Sequence, residues 1–275
     1  MSLPFMRPVR REDFDAIHAL AKQSGGGMTN LPSDPDALRR RIDFAAASFA
    51  ANATEPGVGS LFLSPDIRGG GYGKLLARAR YLFIAQHRTL VADPVCAELR
   101  GWRGPNGEQP FWDALGKKFF DMEFEEADSA NSSLGNQIIS DLLPRHPIYV
   151  AMLPEEARRI MGVPHDNAQP AYQMLLKEGF AFNRYIDVFD GGPLVDAKID
   201  DIKTVKESRV YKAAVGDPGA EADGAALQLM AAGRLETFRV TRDYACVNGE
   251  TITISEEAAK ALGATDGDEI RTVKW

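Results

Sequence analysis

A run of glycines offers the clearest chemistry in this sequence. It reads Arg68-Gly-Gly-Gly-Tyr-Gly-Lys74 and lies between a short apolar run and a long helical pattern. Glycines have no Cβ atom, so this backbone can turn tightly and approach a ligand closely. The first N–H groups of the following helix have no acceptor within the helix, and the positive end of its dipole lies behind them. The pattern predicts a diphosphate site formed by Arg68, Gly69, Gly70, Gly71, Tyr72, Gly73 and Lys74.

Spacing argues against two common phosphate-binding loops. A P-loop has a serine or threonine after its lysine, and here Leu75 stands in that place, so nucleotide hydrolysis is not expected. The dinucleotide fingerprint has a third glycine where this chain has Lys74. The spacing Arg68-x-x-Gly71-x-Gly73 instead resembles the Arg/Gln-x-x-Gly-x-Gly/Ala loop of the acyl-CoA N-acyltransferase superfamily, which holds the pyrophosphate of coenzyme A.

Ordered blocks along nearly the whole chain narrow this resemblance to the arginine N-succinyltransferase family. The resemblance implies transfer of succinyl from succinyl-CoA to the α-amine of arginine, at the first step of an ammonia-yielding breakdown. Two alternatives stay open: an enzyme of the same fold with another acceptor such as ornithine, and a non-catalytic CoA-binding or assembly subunit. Either a homo-oligomer or a hetero-oligomer is compatible with the sequence. The blocks are Leu61–Arg68, Ala97–Gly101, Pro110–Phe120, Leu143–Tyr149 and Tyr185–Pro193.

Acyl transfer from a thioester to an amine requires a base for the amine and N–H donors for the thioester oxygen, but no protein nucleophile. Glu98 and Arg100 flank the end of a predicted strand, and strand alternation places both on one face. Glu98 is predicted to be the base or a guanidinium partner. Arg100 is predicted to bind the succinyl carboxylate, with a structural Glu98–Arg100 ion pair as the alternative. His146 is a candidate for proton transfer or an ordinary surface histidine.

Four residues are candidates for contact with the acceptor. Asp187 and Asp190 could receive a guanidinium group, although Asp190 precedes two glycines and could equally form an Asx turn. Met28 and Thr29 lie on a loop between the first two predicted helices, a position that often covers an acceptor site. No cluster has the spacing of metal ligands, so no metal is predicted. Three further histidines are interpreted as isolated: His18, His87 and His165.

The elements that would position these residues mix helical and strand patterns, which predicts an α+β fold. An acyltransferase-like domain, with a mixed sheet flanked by helices, is expected over residues 3–203, with an insertion at about 121–168. A β-rich C-terminal subdomain is expected over 204–275. Helices are predicted at 12–22, 35–49, from the glycine loop to 84, and at 111–116, 137–143, 154–160 and 170–178. Strands are predicted at 5–9, 60–63, 95–99, 185–189, 238–241, 251–254 and 269–273.

One departure from the family pattern concerns the segment before the glycine loop. In this superfamily a three-stranded antiparallel meander separates the second helix from the loop. Here the helical pattern ends near Ala50 and the next strand pattern starts near Ser60. At no more than about 3.5 Å per residue, the intervening residues can cross a domain only once. The resemblance therefore predicts an internal shortening near residues 50–60 that removes part of the central meander.

Composition narrows the remaining classes. Lys plus Arg is 32 and Asp plus Glu is 39, giving a net charge of −7. General nucleic-acid binding is not expected, since it needs a basic surface. The two cysteines, Cys96 and Cys246, are predicted to be buried free thiols. The sequence has neither a signal peptide pattern nor a long apolar run, which predicts a cytoplasmic protein without a membrane partner.

Overall fold

The computed structural model describes residues 2–24, 31–50, 61–127, 142–220 and 224–275. Their contacts form two units that alternate along the chain. The first unit takes residues 1–17, 39–93 and 199–275, and the second takes residues 18–38 and 94–198. The predicted boundary between residues 203 and 204 divides the chain differently, and it stays a prediction.

The helices begin and end where local signals allow. The Asp34 side chain accepts the N–H of Ala37 at 2.7 Å, so the predicted start of the second helix at Pro35 is confirmed. Gly179, with φ +104°, ends the helix before it, also as predicted. No helix in the described ranges has both the length and the apolar character that a membrane crossing requires. The helices are α1 Phe14–Ser24, α2 Pro35–Ser48, α3 Tyr72–Gln86, α4 Lys117–Phe120, α5 Glu155–Ile160, α6 Gln169–Glu178, α7 Lys203–Glu207 and α8 Glu256–Leu262.

The strands form two sheets. The first unit holds a sheet of order β1-β7-β6-β9-β5-β8, in which β7 also pairs with β8, and the second holds β2-β4-β3. Because β7 pairs with both β6 and β8, the strands from β5 to β9 close into a ring. The strands are β1 Phe5–Met6, β2 Val95–Glu98, β3 Ala181–Ile186, β4 Pro193–Ala197, β5 Arg209–Val215, β6 Ala225–Ala232, β7 Arg239–Asn248, β8 Thr251–Ile254 and β9 Glu269–Lys274.

Helix α3 packs on the sheet of the first unit. Leu75, Leu82 and Phe83 are buried in one cluster with residues of β6, β7 and β9. A buried helix of this kind gains most of its stability from its apolar contacts, each fully buried large side chain contributing about 1.5–3 kcal/mol. This packing holds the start of α3 beside the C-terminal strands.

Two elements differ from their prediction because tertiary contacts override local pattern. Of the strand predicted at 60–63, residues 61–63 form no strand, and no strand among the described residues pairs with them. An apolar run becomes a strand only when another strand satisfies its backbone. The strand predicted at 185–189 is also wrong in extent, since β3 ends at Ile186 and a turn follows.

Gly116 does not end its helix. The chain forms a π-helical turn over Trp112–Gly116 and continues directly into α4. A Cβ at Gly116 would lie 2.2 Å from the Trp112 ring, so the glycine is required for close packing of the indole. The predicted helix at 137–143 lies almost entirely outside the described residues.

Cys96 and Cys246 form no disulfide bond, as predicted, but their burial was predicted wrongly. Cys96 is exposed and Cys246 is half-buried. In β2 the half-buried residues alternate with exposed ones, so Cys96 and Glu98 share the open face of the strand. The Cys96 thiol therefore lies on the same solvent-exposed face of β2 as the Glu98 side chain.

Candidate functional site

Residues 68–74 form an accessible turn at the start of α3. Gly71 has φ +78°, a left-handed conformation that disfavours any residue with a Cβ, and its carbonyl accepts the N–H of Leu75 at 3.0 Å. Arg68, Gly69 and Lys74 are exposed, and no residue of the turn is buried. The turn thus combines an open backbone with the amide donors of a helix start, the arrangement expected of a diphosphate site.

Arg242 of β7 and Trp275, which follows β9, contact this turn, and neither was predicted from the sequence. A Cβ placed on Gly71 would lie 2.6 Å from Arg242 Nη1 and 3.4 Å from the Trp275 ring. The Arg242 guanidinium also donates a long hydrogen bond of 3.4 Å to the carbonyl of Gly70, 172 residues away in the chain. No short-range pattern could have revealed them, because one basic residue in a strand carries no signal about a distant loop.

In the second unit the end of β2 is joined to the turn between β3 and β4. The N–H of Leu99 donates to the carbonyl of Pro193 at 3.1 Å, and that of Asp187 donates to the carbonyl of Gly192 at 2.8 Å. A Cβ on Gly192 would lie 2.1 Å from the Leu99 carbonyl oxygen. Only glycine lets these two backbones approach so closely, and this approach brings four predicted residues into one neighbourhood.

The carboxylates of that turn are largely occupied by backbone amides. Asp190 accepts the N–H of Gly101 at 2.7 Å through Oδ2 and that of Gly192 at 2.8 Å through Oδ1. Asp187 Oδ1 accepts the N–H of Phe189 at 2.6 Å. Burial, followed by the charge of Asp187, raises the pKa of Asp190 above its usual value. These contacts favour the Asx-turn alternative for Asp190.

Replacing Asp190 with asparagine is expected to lower the free energy of unfolding by about 1–3 kcal/mol. An amide group has one acceptor, so its NH₂ would face the N–H of Gly101 or Gly192. Urea unfolding followed by circular dichroism measures the loss, and the exposed Asp113, replaced by asparagine, is the control. Equal stability of the two variants would contradict the structural role.

The pH dependence of this effect has a definite sign. Because the pKa of Asp190 is higher in the folded protein than in the unfolded chain, the folded state retains this proton to higher pH. The contribution of this carboxyl group to stability therefore falls as the pH rises from the pKa of the unfolded chain to the higher pKa of the folded protein. The stability advantage of the wild type over Asp190→Asn should shrink over the same range.

Glu98 lies next to this turn with an altered ionisation. Partial loss of hydration, followed by the negative charge of Asp187, raises the pKa of the Glu98 carboxyl. Its side chain is nevertheless exposed on the open face of β2. An accessible carboxylate with a raised pKa is a stronger base than an ordinary glutamate, which suits proton removal from an amine.

Arg100 connects this group to a histidine that was interpreted as isolated. Its positive charge partly offsets the rise in the pKa of Asp190, and burial followed by this charge lowers the pKa of His165. His165 therefore has a charged neighbour that the sequence did not reveal. Its Nδ1 accepts the N–H of Asn167 at 3.0 Å and caps a short 3-10 turn. The structure thus groups Glu98, Arg100, Asp187 and Asp190, with His165 beside them.

The other predicted site residues are not among those that the structure groups around Glu98. His146 is exposed in the second unit, and Met28 and Thr29 lie outside the described residues. Across the described ranges, no three His, Cys, Asp or Glu side chains come together as metal ligands would. A cavity of about 540 Å³ in the second unit contains none of the predicted site residues. Its lining is Trp102, Pro105, Glu108, Pro110, Glu156, Arg159, Ile160 and Val163.

Comparison with known proteins identifies the relatives of this chain. Residues 4–59 and 53–204 match the family described as arginine N-succinyltransferase beta subunit, and residues 209–274 match its C-terminal domain. The chain is 33% identical to arginine N-succinyltransferase subunit beta of Pseudomonas aeruginosa, over 98% of this chain and 97% of that one. It is 31% identical, with the same coverage, to arginine N-succinyltransferase of Escherichia coli.

A solved structure shows the same similarity in three dimensions. It is that of arginine/ornithine succinyltransferase subunit AI from Pseudomonas aeruginosa, which matches with a TM-score of 0.86 and 28% identity. The match covers all of this chain and 99% of that chain. The sequence alignment with the subunit beta relative extends over 333 positions, although this chain has only 275 residues. Several tens of aligned positions therefore have no residue in this chain.

Proposed function

Because the chain belongs to the arginine N-succinyltransferase family, it is an acyltransferase, and we propose that it transfers the succinyl group of succinyl-CoA to the α-amino group of L-arginine. The products are N2-succinylarginine and CoA. The observation that carries the proposal is the accessible glycine turn at the start of α3, with Gly71 in a left-handed conformation. Such a turn suits the diphosphate of a thioester carrier.

The donor is held through its phosphates. The amides of residues 72–74 bind the diphosphate, and Arg68 and Lys74 add charge at the rim. Both side chains are exposed, so a ligand bound at the turn can reach them. The glycines at 69, 70 and 71 keep the approach to the backbone open.

The reaction then proceeds by direct attack in a ternary complex. Glu98 removes a proton from the α-ammonium group through a water molecule, and the amine lone pair attacks the thioester carbon. The new C–N bond forms and the C–S bond breaks. The nitrogen loses its remaining extra proton to give the amide, and the departing CoA thiolate takes up one proton to give the thiol. Arg100 binds the succinyl carboxylate, which two parallel N–H donors of a guanidinium group fit well.

The acceptor contacts are proposed to include Asp187, Met28 and Thr29. One oxygen of Asp187 accepts backbone N–H groups, and its carboxylate still carries a negative charge next to Glu98. The two oxygens of Asp190 are both used by the turn, so we assign this residue to positioning rather than to direct binding. His146 stays a candidate for proton transfer to the leaving thiolate.

Ornithine is a second candidate acceptor. The solved relative is named an arginine/ornithine succinyltransferase. Both amino acids present an α-amine and a cationic side chain, so the same base and a carboxylate such as Asp187 could serve either. The two acceptors differ in the shape of the cation, and the rates measured with each of them separately show which is preferred.

The proposal also covers the assembly, an internal shortening and the location of the protein. Relatives are named as subunits, which supports a homo- or hetero-oligomeric assembly. The family match is divided into two segments that overlap at residues 53–59, which supports an internal shortening near residues 50–60. Most of these residues lie outside the described ranges. Cytoplasmic location stays a prediction.

Mass spectrometry of the products tests the function directly. The protein is mixed with succinyl-CoA and, separately, with arginine, ornithine, lysine or no amine. We expect a succinylated product and free CoA with arginine, and CoA release at background level without an amine. Binding of CoA with no succinylated product from any amine would contradict the proposed transfer. A product from ornithine at a higher rate than from arginine would favour the second candidate.

A further inference from the structure

The side chains of Lys74 and Arg242 both lie over the indole ring of Trp275, beside the glycine turn. Lys74 Nζ is 4.3 Å from the ring centroid, and the guanidinium carbon of Arg242 is 4.7 Å from it. Cations prefer the negative face of an aromatic ring, so these contacts fix where both charges lie. The ring therefore holds a side chain of β7 and a side chain of α3 next to the same turn.

Among the residues that the structure describes, no carboxylate forms an ion pair with Arg242. Across the described residues, its contacts are the Trp275 ring and the 3.4 Å hydrogen bond to the carbonyl of Gly70. The acid next to it in the strand, Asp243, accepts the hydroxyl of Ser255 at 2.6 Å. A half-buried guanidinium group with five N–H donors thus makes one long hydrogen bond.

This charge lies where the proposed diphosphate would bind. Arg242 Nη1 is 2.6 Å from the position of a Cβ on Gly71, so the guanidinium is in contact with the residue that caps α3. The whole chain is acidic, with a net charge of −7, yet Arg68, Lys74 and Arg242 surround this turn. Guanidinium groups bind phosphate oxygens through parallel N–H donors.

We propose that Arg242 is a phosphate-binding residue for CoA, held in place by Trp275, so that the C-terminal strands complete the donor site. The inference rests on the proposed function, because it takes the glycine turn to be the CoA diphosphate site. It adds that the sheet of the first unit contributes to donor binding. The contact is assigned to the diphosphate rather than to the ribose phosphate, because the turn amides bind the diphosphate.

Binding measurements with shortened ligands test this assignment. The variant is Arg242→Gln, and Arg239→Gln is the matched control, since Arg239 lies in the same strand but stacks on Phe5. Calorimetric titration is carried out with CoA, with dephospho-CoA, which lacks the ribose phosphate, and with pantetheine, which lacks all phosphates. Thermal unfolding of both variants checks that they remain folded.

We expect Arg242→Gln to bind CoA and dephospho-CoA about tenfold more weakly, because one charge-assisted hydrogen bond is lost. Its affinity for pantetheine should equal that of the wild type. Arg239→Gln should bind all three as the wild type does. CoA affinity of Arg242→Gln within twofold of the wild type would overturn the inference. A loss with CoA but not with dephospho-CoA would overturn the diphosphate assignment. If the wild type itself does not bind CoA, the proposed function fails, and this inference fails with it.

Discussion

Replacing Gly71 with valine is expected to weaken CoA binding by at least about a hundredfold, because two or more charge-assisted hydrogen bonds are lost. Gly71 has φ +78°, which a β-branched residue strongly disfavours. The new Cβ would also lie 2.6 Å from Arg242 Nη1 and push that guanidinium away. The valine side chain would then stand where the diphosphate approaches the backbone.

Gly73→Ala is the matched control for this experiment. A Cβ at Gly73 would meet only Leu63 Cδ2, at an ordinary 3.9 Å, and the residue lies inside α3, where alanine is favourable. Alanine also occurs at this position in the family motif that the loop resembles. We expect CoA affinity within about twofold of the wild type, because the substitution leaves the turn unchanged.

Calorimetry with CoA and thermal unfolding separate binding from folding. The left-handed conformation should cost Gly71→Val about 1–2 kcal/mol of stability, which leaves a typical domain folded. A folded Gly71→Val variant that still binds CoA as the wild type does would remove the glycine turn from the donor site. Equal losses in both variants would point to a general disturbance of α3.

Glu98→Gln is expected to lower kcat about a hundredfold at neutral pH, the typical contribution of a positioned general base. At neutral pH the α-amine is mostly protonated, so attack depends on proton removal. At high pH free amine is abundant, and the ratio between wild type and variant should decrease. The measurement is kcat across a pH series with saturating succinyl-CoA and arginine.

The acidic limb of the wild-type profile has a predicted position. Glu98 acts as a base only when ionised, and loss of hydration together with Asp187 raises the pKa of its carboxyl. As the pH is lowered, kcat should therefore begin to fall at a higher pH than it would if the base were a glutamate with an ordinary pKa. Removing the neighbouring charge with Asp187→Asn should shift this limb toward lower pH.

Asp196→Asn provides a control on the same sheet. Asp196 pairs with Cys96, two residues before Glu98 on the same face, and accepts the side-chain amide of Asn183 at 2.8 Å. It should leave the pH profile unchanged. A wild-type to Glu98→Gln ratio that is constant across pH would exclude Glu98 as the base and leave it a binding or structural role.

Local chemistry was sufficient for much of the helical structure and for the turn at residues 68–74. The start of α2 at Pro35 and the end of α6 at Gly179 follow from capping rules that involve neighbouring residues. The glycine turn could be predicted for the same reason, since a left-handed cap and free helix amides are properties of a short segment.

Strand pairing and close packing could not be predicted in this way. Residues 61–63 have the apolar character of a strand but pair with none of the described strands. The role of Gly116 depends on the Trp112 ring rather than on helix termination. Both outcomes depend on residues that approach only in the folded chain.

The residues around Glu98 and those around the glycine turn were likewise only partly predictable from the sequence. The sequence alone was enough to select Glu98, Arg100, Asp187 and Asp190 as candidates, but only folding shows that both oxygens of Asp190 serve backbone amides. Arg242 and Trp275 reach the glycine turn because β7 and β9 pack against α3. Electrostatic and steric effects act over a few ångströms of space, and separation along the chain says little about that distance.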